Sequence, residues 1–193
     1  MKKRLYLKQI VKNNGGFTLI EMIIVIVILS VMSLLVVPRL SNFFGNKREN
    51  FIILTSMIAK TFDDSFINDR INFFSIHLFE PGMEVSDSED ERSSRNNGIS
   101  VMTLDDNGNF VDSDNKLMKY RQFPDSFRLE EVVLSSGERI GIGTVMVPYY
   151  PQGYSDNVIL HILTDDEDQW SVRFYKFQKD ASIFHDYINF DEL

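Results

Sequence analysis

The stretch Gly15-Gly16-Phe17-Thr18-Leu19-Ile20-Glu21 marks the point where a basic leader ends and a long apolar run begins. The leader, residues 1–16, holds five basic residues and no acidic residue, and the apolar run continues from Met22 to Val37. A secretory signal peptide would have a small-residue cleavage site after its apolar region, whereas here the glycine pair precedes that region. The following Pro38-Arg39-Leu40-Ser41 offers no such site, so the sequence predicts that the apolar helix is retained.

Residues 17–37 have the length and composition of a membrane-spanning helix. Only Thr18, Glu21, Ser30 and Ser33 among these 21 residues are polar. As an α-helix the segment would span about 31 Å, which matches the apolar thickness of a bilayer. By the positive-inside rule, the basic leader stays in the cytoplasm and the rest of the chain lies on the other side. We therefore expect a single-pass membrane protein.

Glu21 is the unusual residue of this segment. An acidic residue at the centre of a bilayer costs about 2.5 to 3.5 kcal/mol on insertion scales. In one interpretation, Glu21 lies close enough to the end of the helix to reach the membrane interface. In the other, cleavage after Gly16 creates an ammonium group on Phe17, and the Glu21 carboxylate pairs with that ammonium or with the one of a neighbouring copy.

Gly16-Phe17-Thr18-Leu19-Ile20-Glu21, with its basic leader and apolar span, resembles the cleavage and methylation motif of type IV pilins and type II secretion pseudopilins. The resemblance implies cutting between Gly16 and Phe17 by prepilin peptidase and N-methylation of Phe17. It also implies that Glu21 neutralises the amino terminus of an adjacent subunit during assembly. The implied partners are prepilin peptidase, other pilins or pseudopilins, an inner-membrane assembly platform and membrane lipid. The implied location is the inner membrane, with the carboxyl-terminal domain in the periplasm.

After the apolar run, the helix is expected to continue as an amphipathic segment over residues 38–69. Pro38 lacks a backbone donor and clashes with the preceding turn, so it predicts either a kink or simply the end of the membrane span. Three- and four-residue spacing then predicts an apolar stripe that packs on a domain. The stripe consists of Phe51, Leu54, Thr55, Ile58, Ala59, Phe62 and Phe66.

From residue 70 onward the sequence predicts short strands separated by turns and one polar loop, residues 84–97. The expected strands are 71–79, 99–104, 127–134, 140–147, 158–163, 170–177 and 183–190. Several strands after one long helix predict an α+β, pilin-like fold, with antiparallel sheets or a β-sandwich packed on the helix. The predicted organisation is a leader (1–16), a transmembrane and assembly helix (17–37), its amphipathic continuation (38–69) and a β-rich domain (70–193).

The final third of the chain has a turn at Pro151-Gln152-Gly153 before two closing strands. This pattern is similar to the end of GspH/FimT-type minor pseudopilins. The resemblance favours a minor pseudopilin of a type II secretion pseudopilus, which supports protein export. A minor pilin of a type IV pilus, used for adhesion, motility or DNA uptake, is the alternative. A membrane-tethered binding module is a third hypothesis.

Composition excludes several kinds of chemistry. The chain has no cysteine, which rules out disulfides, cysteine metal clusters and thiol nucleophiles. Its formal charge is -8, and without the basic leader the remainder is more acidic still. An acidic surface repels phosphates, so we do not expect nucleic acid as a partner.

Other candidate sites give weaker patterns. Asp105, Asn107 and Asp114 fall near the spacing of a calcium-binding loop, but Thr103 occupies the first ligand position, where an aspartate is expected. The three histidines are far apart in sequence and form no close ligand pair. We therefore expect no resident metal, no cofactor and no enzymatic activity, with this loop as a weak calcium candidate.

Overall fold

The computed structural model describes residues 19–82, 94–165 and 167–192. These residues form one long helix, α1 (Leu19–Ile67), and eleven strands in two antiparallel sheets. The chain divides after Phe44 into two compact units, residues 1–44 and 45–193. Within the described part of the chain, none of the helices combines the length and apolar character that a membrane crossing requires.

Sheet A has the strand order β3-β2-β1-β7-β8, with β4 pairing separately with β2. Its strands are β1 (Asn72–His77), β2 (Gly98–Leu104), β3 (Phe110–Asp112), β4 (Arg121–Gln122), β7 (Thr144–Tyr150) and β8 (Tyr154–Ser155). Sheet B has the order β11-β10-β9-β5-β6. Its strands are β5 (Phe127–Leu134), β6 (Arg139–Ile140), β9 (Val158–Thr164), β10 (Gln169–Phe174) and β11 (Ser182–Phe184). Short 3-10 turns occur at Lys116–Met118 and Phe190–Glu192.

The second half of α1 packs on both sheets, which confirms the predicted α+β architecture. The ring of Phe51 contacts Phe127 of sheet B in an edge arrangement at 4.9 Å between centroids. On the other side, the ring of Phe62 lies 6.3 Å from Tyr149 of sheet A. Leu54 is fully buried between these contacts. The helix therefore closes a core that the inner faces of the two sheets share.

The inner faces of the sheets supply the rest of this core. Phe74 of β1 contacts Phe174 of β10 across the core, with 5.6 Å between ring centroids. Alternate residues of the central strands point the same way, as the two-residue period of a strand requires. The helix residues and the strand residues form one buried cluster, which also includes Ile76, Ile99, Val101, Val147, Leu160, Ile162 and Val172.

Asn97, just before β2, is a buried polar link between the two sheets. Its Oδ1 accepts the backbone N–H of Leu129 at 3.0 Å, and its Nδ2 donates to the carbonyls of Phe123 and Phe127. Asn97 also adopts a φ of 46°, a left-handed conformation that asparagine tolerates better than most side chains. The residue therefore fixes β2 of sheet A against β5 of sheet B.

The end of α1 differs from the predicted stripe. Phe66 was expected in the core, but it is 63% exposed, whereas Ser65 beside it is fully buried. Asp64, which is not part of the apolar stripe, is buried and accepts hydrogen bonds from Arg70, Asn68 and Asn72. Burial raises the pKa of Asp64, but the hydrogen bonds and charge of Arg70 outweigh burial and leave that pKa lowered. This ionised carboxylate ties the last turn of α1 to the start of β1.

Several predicted strands have different limits. The strand expected at 140–147 is interrupted at Gly141–Gly143, where Gly143 has a φ of 83° and the chain crosses from sheet B to sheet A. The strand expected at 183–190 is paired only over β11, and residues 185–190 leave the ladder. Most of the polar loop predicted at 84–97 lies outside the described residues.

The contribution of α1 to the core can be measured by comparing substitutions at Leu54, which is buried, and at the nearby Ile52, which is exposed. Leu54→Ala should lower the free energy of unfolding by about 3 kcal/mol, because it leaves a cavity at a fully buried position. Ile52→Ala, at a position that is 52% exposed, should change it by less than about 0.5 kcal/mol. Urea unfolding of the full chain in detergent would measure both. Equal effects of the two substitutions would contradict the packing of this helix face.

Candidate functional site

The first turns of α1 expose apolar side chains around the whole helix. Every apolar residue from Leu19 to Leu29 is about half exposed or more. A helix that is apolar on all sides needs an apolar surrounding, either lipid or other protein. The exposed residues are Leu19, Ile20, Met22, Ile23, Ile24, Val25, Ile26, Val27, Ile28 and Leu29.

Two polar residues lie within this apolar surface. Glu21 is in the first turn of α1 and is exposed, where a negative charge interacts favourably with the positive end of the helix dipole. Ser30 donates its hydroxyl proton to the carbonyl of Ile26 at 2.7 Å and so satisfies its own polar group within the helix. Glu21 is therefore the acidic group that this segment presents on its surface.

The structure gives less information about the other predicted residues, Gly16, Phe17 and Pro38. Gly16 and Phe17 lie outside the described residues. Pro38 falls within α1, whose helical assignment continues through it, and the predicted kink stays a prediction.

The weak calcium candidate has a structural role in the β2–β3 hairpin. Oδ1 of Asp105 accepts the backbone N–H groups of Asn107 and Asn109 at 2.9 and 2.8 Å. These hydrogen bonds, chiefly that from Asn109, lower the pKa of Asp105. No three His, Asp or Glu side chains gather in a metal-binding group within residues 19–82, 94–165 and 167–192, so Asp114 does not complete such a site there. Asp105 thus uses its carboxylate to hold the loop.

His77 of β1 is buried on the outer face of sheet A, between two hydroxyl groups. Its Nδ1 lies 2.9 Å from Oγ1 of Thr144, and its Nε2 lies 3.0 Å from Oγ of Ser100. Because a hydroxyl can donate or accept, both partners fit a neutral ring. Burial, followed by the positive charge of Arg95, lowers the pKa of His77 from 6.5 to about 4, against an opposing effect of Asp112.

Ser100 and His77 form the kind of pair that activates a nucleophile in serine hydrolases. Here, however, Ser100 is completely buried. The guanidinium of Arg95, itself paired with Asp112 by two hydrogen bonds, lies 3.4 Å from Oγ of Ser100. The Ser100 hydroxyl is therefore not on the surface of the described domain.

His161 of β9 is buried on the outer face of sheet B, under residues 185–190. Its Nδ1 lies 2.7 Å from Oε1 of Glu131, and its Nε2 lies 2.9 Å from the backbone carbonyl of Ile188. The ring stacks on Tyr187 with 4.2 Å between centroids. His185, by contrast, is exposed and packs on Trp170. The structure thus keeps the three histidines apart, as the sequence predicted, but surrounds two of them with hydrogen-bond partners.

Comparison with known proteins identifies the amino-terminal segment. Residues 11–37 match the model of the prokaryotic N-terminal methylation motif, and this range includes Gly16, Phe17 and Glu21. The amino-terminal segment is type IV pilin-like. No curated protein matches the chain.

The chain is also similar to two solved structures of one protein, the minor pseudopilin EpsH from the type 2 secretion system of Vibrio cholerae. One structure aligns with a TM-score of 0.45 and 9% identity over 68% of this chain and 90% of that chain. The other, a crystal structure, aligns with a TM-score of 0.49 and 8% identity over 70% of this chain and 91% of that chain.

The sequence did not show that the two buried histidines are held by hydrogen-bond partners on both ring nitrogens. Their partners come from other strands: Ser100 and Thr144 for His77, and Glu131 for His161. The available signal was weak, because a histidine within a strand-like run fits a buried or an exposed position equally well.

His77 predicts how the stability of the domain depends on pH. Its pKa is lower in the folded state, so the unfolded chain takes up a proton that the folded chain does not. The free energy of unfolding should fall as the pH drops from 6.5 to about 4, by about 3 kcal/mol at most. Urea unfolding at several pH values should show this loss in the natural protein and not in His77→Gln. The same slope in both proteins would contradict the assignment.

Proposed function

We propose that this protein is a minor pseudopilin of a type II secretion pseudopilus, made as a precursor and assembled through α1 to support protein export. The observation that carries the proposal is the match of residues 11–37 to the methylation motif. Glu21 in the first turn of a helix with an exposed apolar surface supports it. In this proposal residues 17–37 insert in the inner membrane, with the leader in the cytoplasm and the β-rich unit in the periplasm.

The proposed mechanism uses the charge balance at the amino terminus. Prepilin peptidase cuts between Gly16 and Phe17, and the new amino group of Phe17 is methylated but keeps its positive charge. In apolar surroundings that charge and the Glu21 carboxylate attract each other more strongly than in water. An incoming subunit whose ammonium meets the Glu21 of a neighbour is therefore stabilised in one register. The assembly platform of the inner membrane would supply the movement.

The β-rich unit is proposed as a contact domain for other subunits or for cargo, without a cofactor and without catalysis. The burial of Ser100 supports this view, because the one serine–histidine pair described above is inaccessible. The acidic character of the chain supports protein rather than nucleic-acid partners.

The choice of a secretion pseudopilus rests on the final third of the chain. The turn at 151–153, with Gly153 at a φ of 80°, precedes the paired strands β9 and β10. This is the arrangement for which the sequence resembles minor pseudopilins. A minor pilin of a type IV pilus carries the same methylation motif and is the competing function.

Replacing Glu21 tests the assembly mechanism. Glu21→Leu should still be cleaved and methylated at Phe17, because the peptide bond that is cut is unchanged. Its recovery in sheared or cross-linked filaments, however, should fall at least about tenfold, because one ion pair in apolar surroundings is lost. Mass spectrometry of the mature amino terminus and immunoblots of filaments would measure the two steps.

Glu49→Leu is the matched control, since Glu49 is an exposed acidic residue of the same helix. It should be processed and assembled normally. Normal assembly of Glu21→Leu would show that α1 is only a membrane anchor.

Deleting the gene tests which machine the protein serves. Exported proteins should accumulate in the periplasm while surface pili persist, because a pseudopilin acts only in secretion. Proteomics of the culture medium, beside counts of surface pili, would measure this. Intact secretion with loss of pili, motility or DNA uptake would establish the minor pilin instead.

A further inference from the structure

The described part of the chain contains the dipeptide Asn-Gly twice, at residues 97–98 and at residues 107–108. A further copy, at residues 14–15, lies outside the described residues. An asparagine in this dipeptide readily loses its side-chain amide, because glycine has no side chain to obstruct the approach of its backbone nitrogen. The structure places the two described copies in opposite surroundings, so their reactivity should differ.

The copy at Asn97 and Gly98 is enclosed by the fold. Asn97 is 2% exposed, its Nδ2 donates to the carbonyl of Phe127 at 3.1 Å, and its Oδ1 accepts the N–H of Leu129 at 3.0 Å. Gly98 lies in β2, paired with β1 on one side and with β4 on the other. A Cβ added to Gly98 would lie 2.6 Å from the carbonyl oxygen of Arg121. Bringing the Gly98 nitrogen to the Asn97 amide would therefore break buried hydrogen bonds on both sides of the dipeptide.

The copy at Asn107 and Gly108 lies in the turn of the β2–β3 hairpin, where both residues are exposed. Gly108 has a φ of 81°, and a Cβ added to it would have no atom within 4 Å. Water and hydroxide therefore reach the atoms that have to react. The turn can also open without exposing the core, because local opening of a loop tip costs far less than global unfolding.

We propose that Asn107 is a site of spontaneous deamidation and that the fold protects Asn97 in the same dipeptide. The Gly108 amide gives its proton to hydroxide, and its nitrogen bonds to the side-chain carbon Cγ of Asn107. The bond between Cγ and Nδ2 breaks, ammonia leaves with a proton taken from water, and a cyclic succinimide remains. Water then opens this ring at Cγ to give aspartate, or at the backbone carbonyl to give isoaspartate.

Asp105 is the residue that restrains this reaction. Its backbone carbonyl accepts the N–H of Gly108 at 3.0 Å, so the attacking nitrogen is held in the closed turn. Its Oδ1 accepts the N–H groups of Asn107 and Asn109 at 2.9 and 2.8 Å and keeps the turn closed. The carboxylate also interacts with the side chain of Asn107. Asp105 is therefore a positioning residue that slows the attack of Gly108 without preventing it.

Deamidation changes both the charge and the backbone of the hairpin. Either product adds a carboxylate beside Asp105 and Asp106. Isoaspartate also lengthens the main chain by one carbon between residues 107 and 108. Asn109 then loses the geometry in which its N–H reaches Oδ1 of Asp105 and its carbonyl accepts the Asp105 N–H. The amide of Asn109 should therefore exchange its hydrogen faster in aged protein.

The proposal can be tested by ageing the full chain in detergent micelles at mildly alkaline pH and comparing its two Asn-Gly peptides by mass spectrometry. Asn107 should convert to aspartate and isoaspartate at least about tenfold faster than Asn97, because Asn97 reacts only after buried structure opens. In guanidinium chloride that unfolds the chain, the two rates should agree within about threefold, since both dipeptides then meet the same solvent. Equal rates in the folded chain, or an intact Asn107 there, would overturn the proposal.

Asp105→Ala tests the restraint. It removes hydrogen bonds that close the turn, so deamidation of Asn107 should be about fivefold faster while Asn97 stays unchanged. Asp106→Ala is the matched control, because it removes an exposed acidic residue next to the dipeptide but none of the hydrogen bonds of Asp105. It should react like the natural protein.

An unchanged rate in Asp105→Ala, or equal acceleration by Asp106→Ala, would contradict the role of the Asp105 hydrogen bonds. The reaction belongs to the folded β-rich unit itself, so the outcome of secretion or assembly experiments does not bear on it.

Discussion

Packing of the second half of α1 against both sheets is the contact on which the β-rich unit depends. Phe51 and Leu54 of the helix are part of the one buried cluster that the inner faces of the two sheets form. The Asp64 carboxylate then ties the last turn of the helix to the start of β1, since it accepts hydrogen bonds from Arg70 and Asn72.

Features carried by consecutive or periodic residues could be predicted from the sequence. The methylation motif is continuous, and the burial of Leu54 and Ile58 follows from helical spacing alone. Phe66 continues the same spacing but is 63% exposed, and no local pattern indicates where a partner surface ends. Residues 185–190 were predicted as part of a strand because their composition is strand-like, whereas their backbone is held by the side chain of Ser171, 15 to 17 residues from its two partners.

The two buried histidines show why site chemistry was harder to predict than fold. His77 has hydroxyl neighbours, which adapt to a neutral ring, whereas His161 faces a carboxylate and a carbonyl, which do not adapt. The same residue type in two similar strands thus has chemically different partners. The difference comes from pairings between residues about 20 to 70 positions apart, which the topology of the sheets decides.

The apolar half of α1 has a mechanical consequence. Beyond its first turn, an α-helix satisfies its backbone hydrogen bonds internally, and Ser30 does the same with its side chain. Such a segment can slide from one apolar environment into another without breaking a polar bond, so the work of transfer depends on shape matching and dispersion contacts. In the proposed assembly, the Glu21 carboxylate is the place on this surface where a charge on a neighbouring subunit would stop such movement.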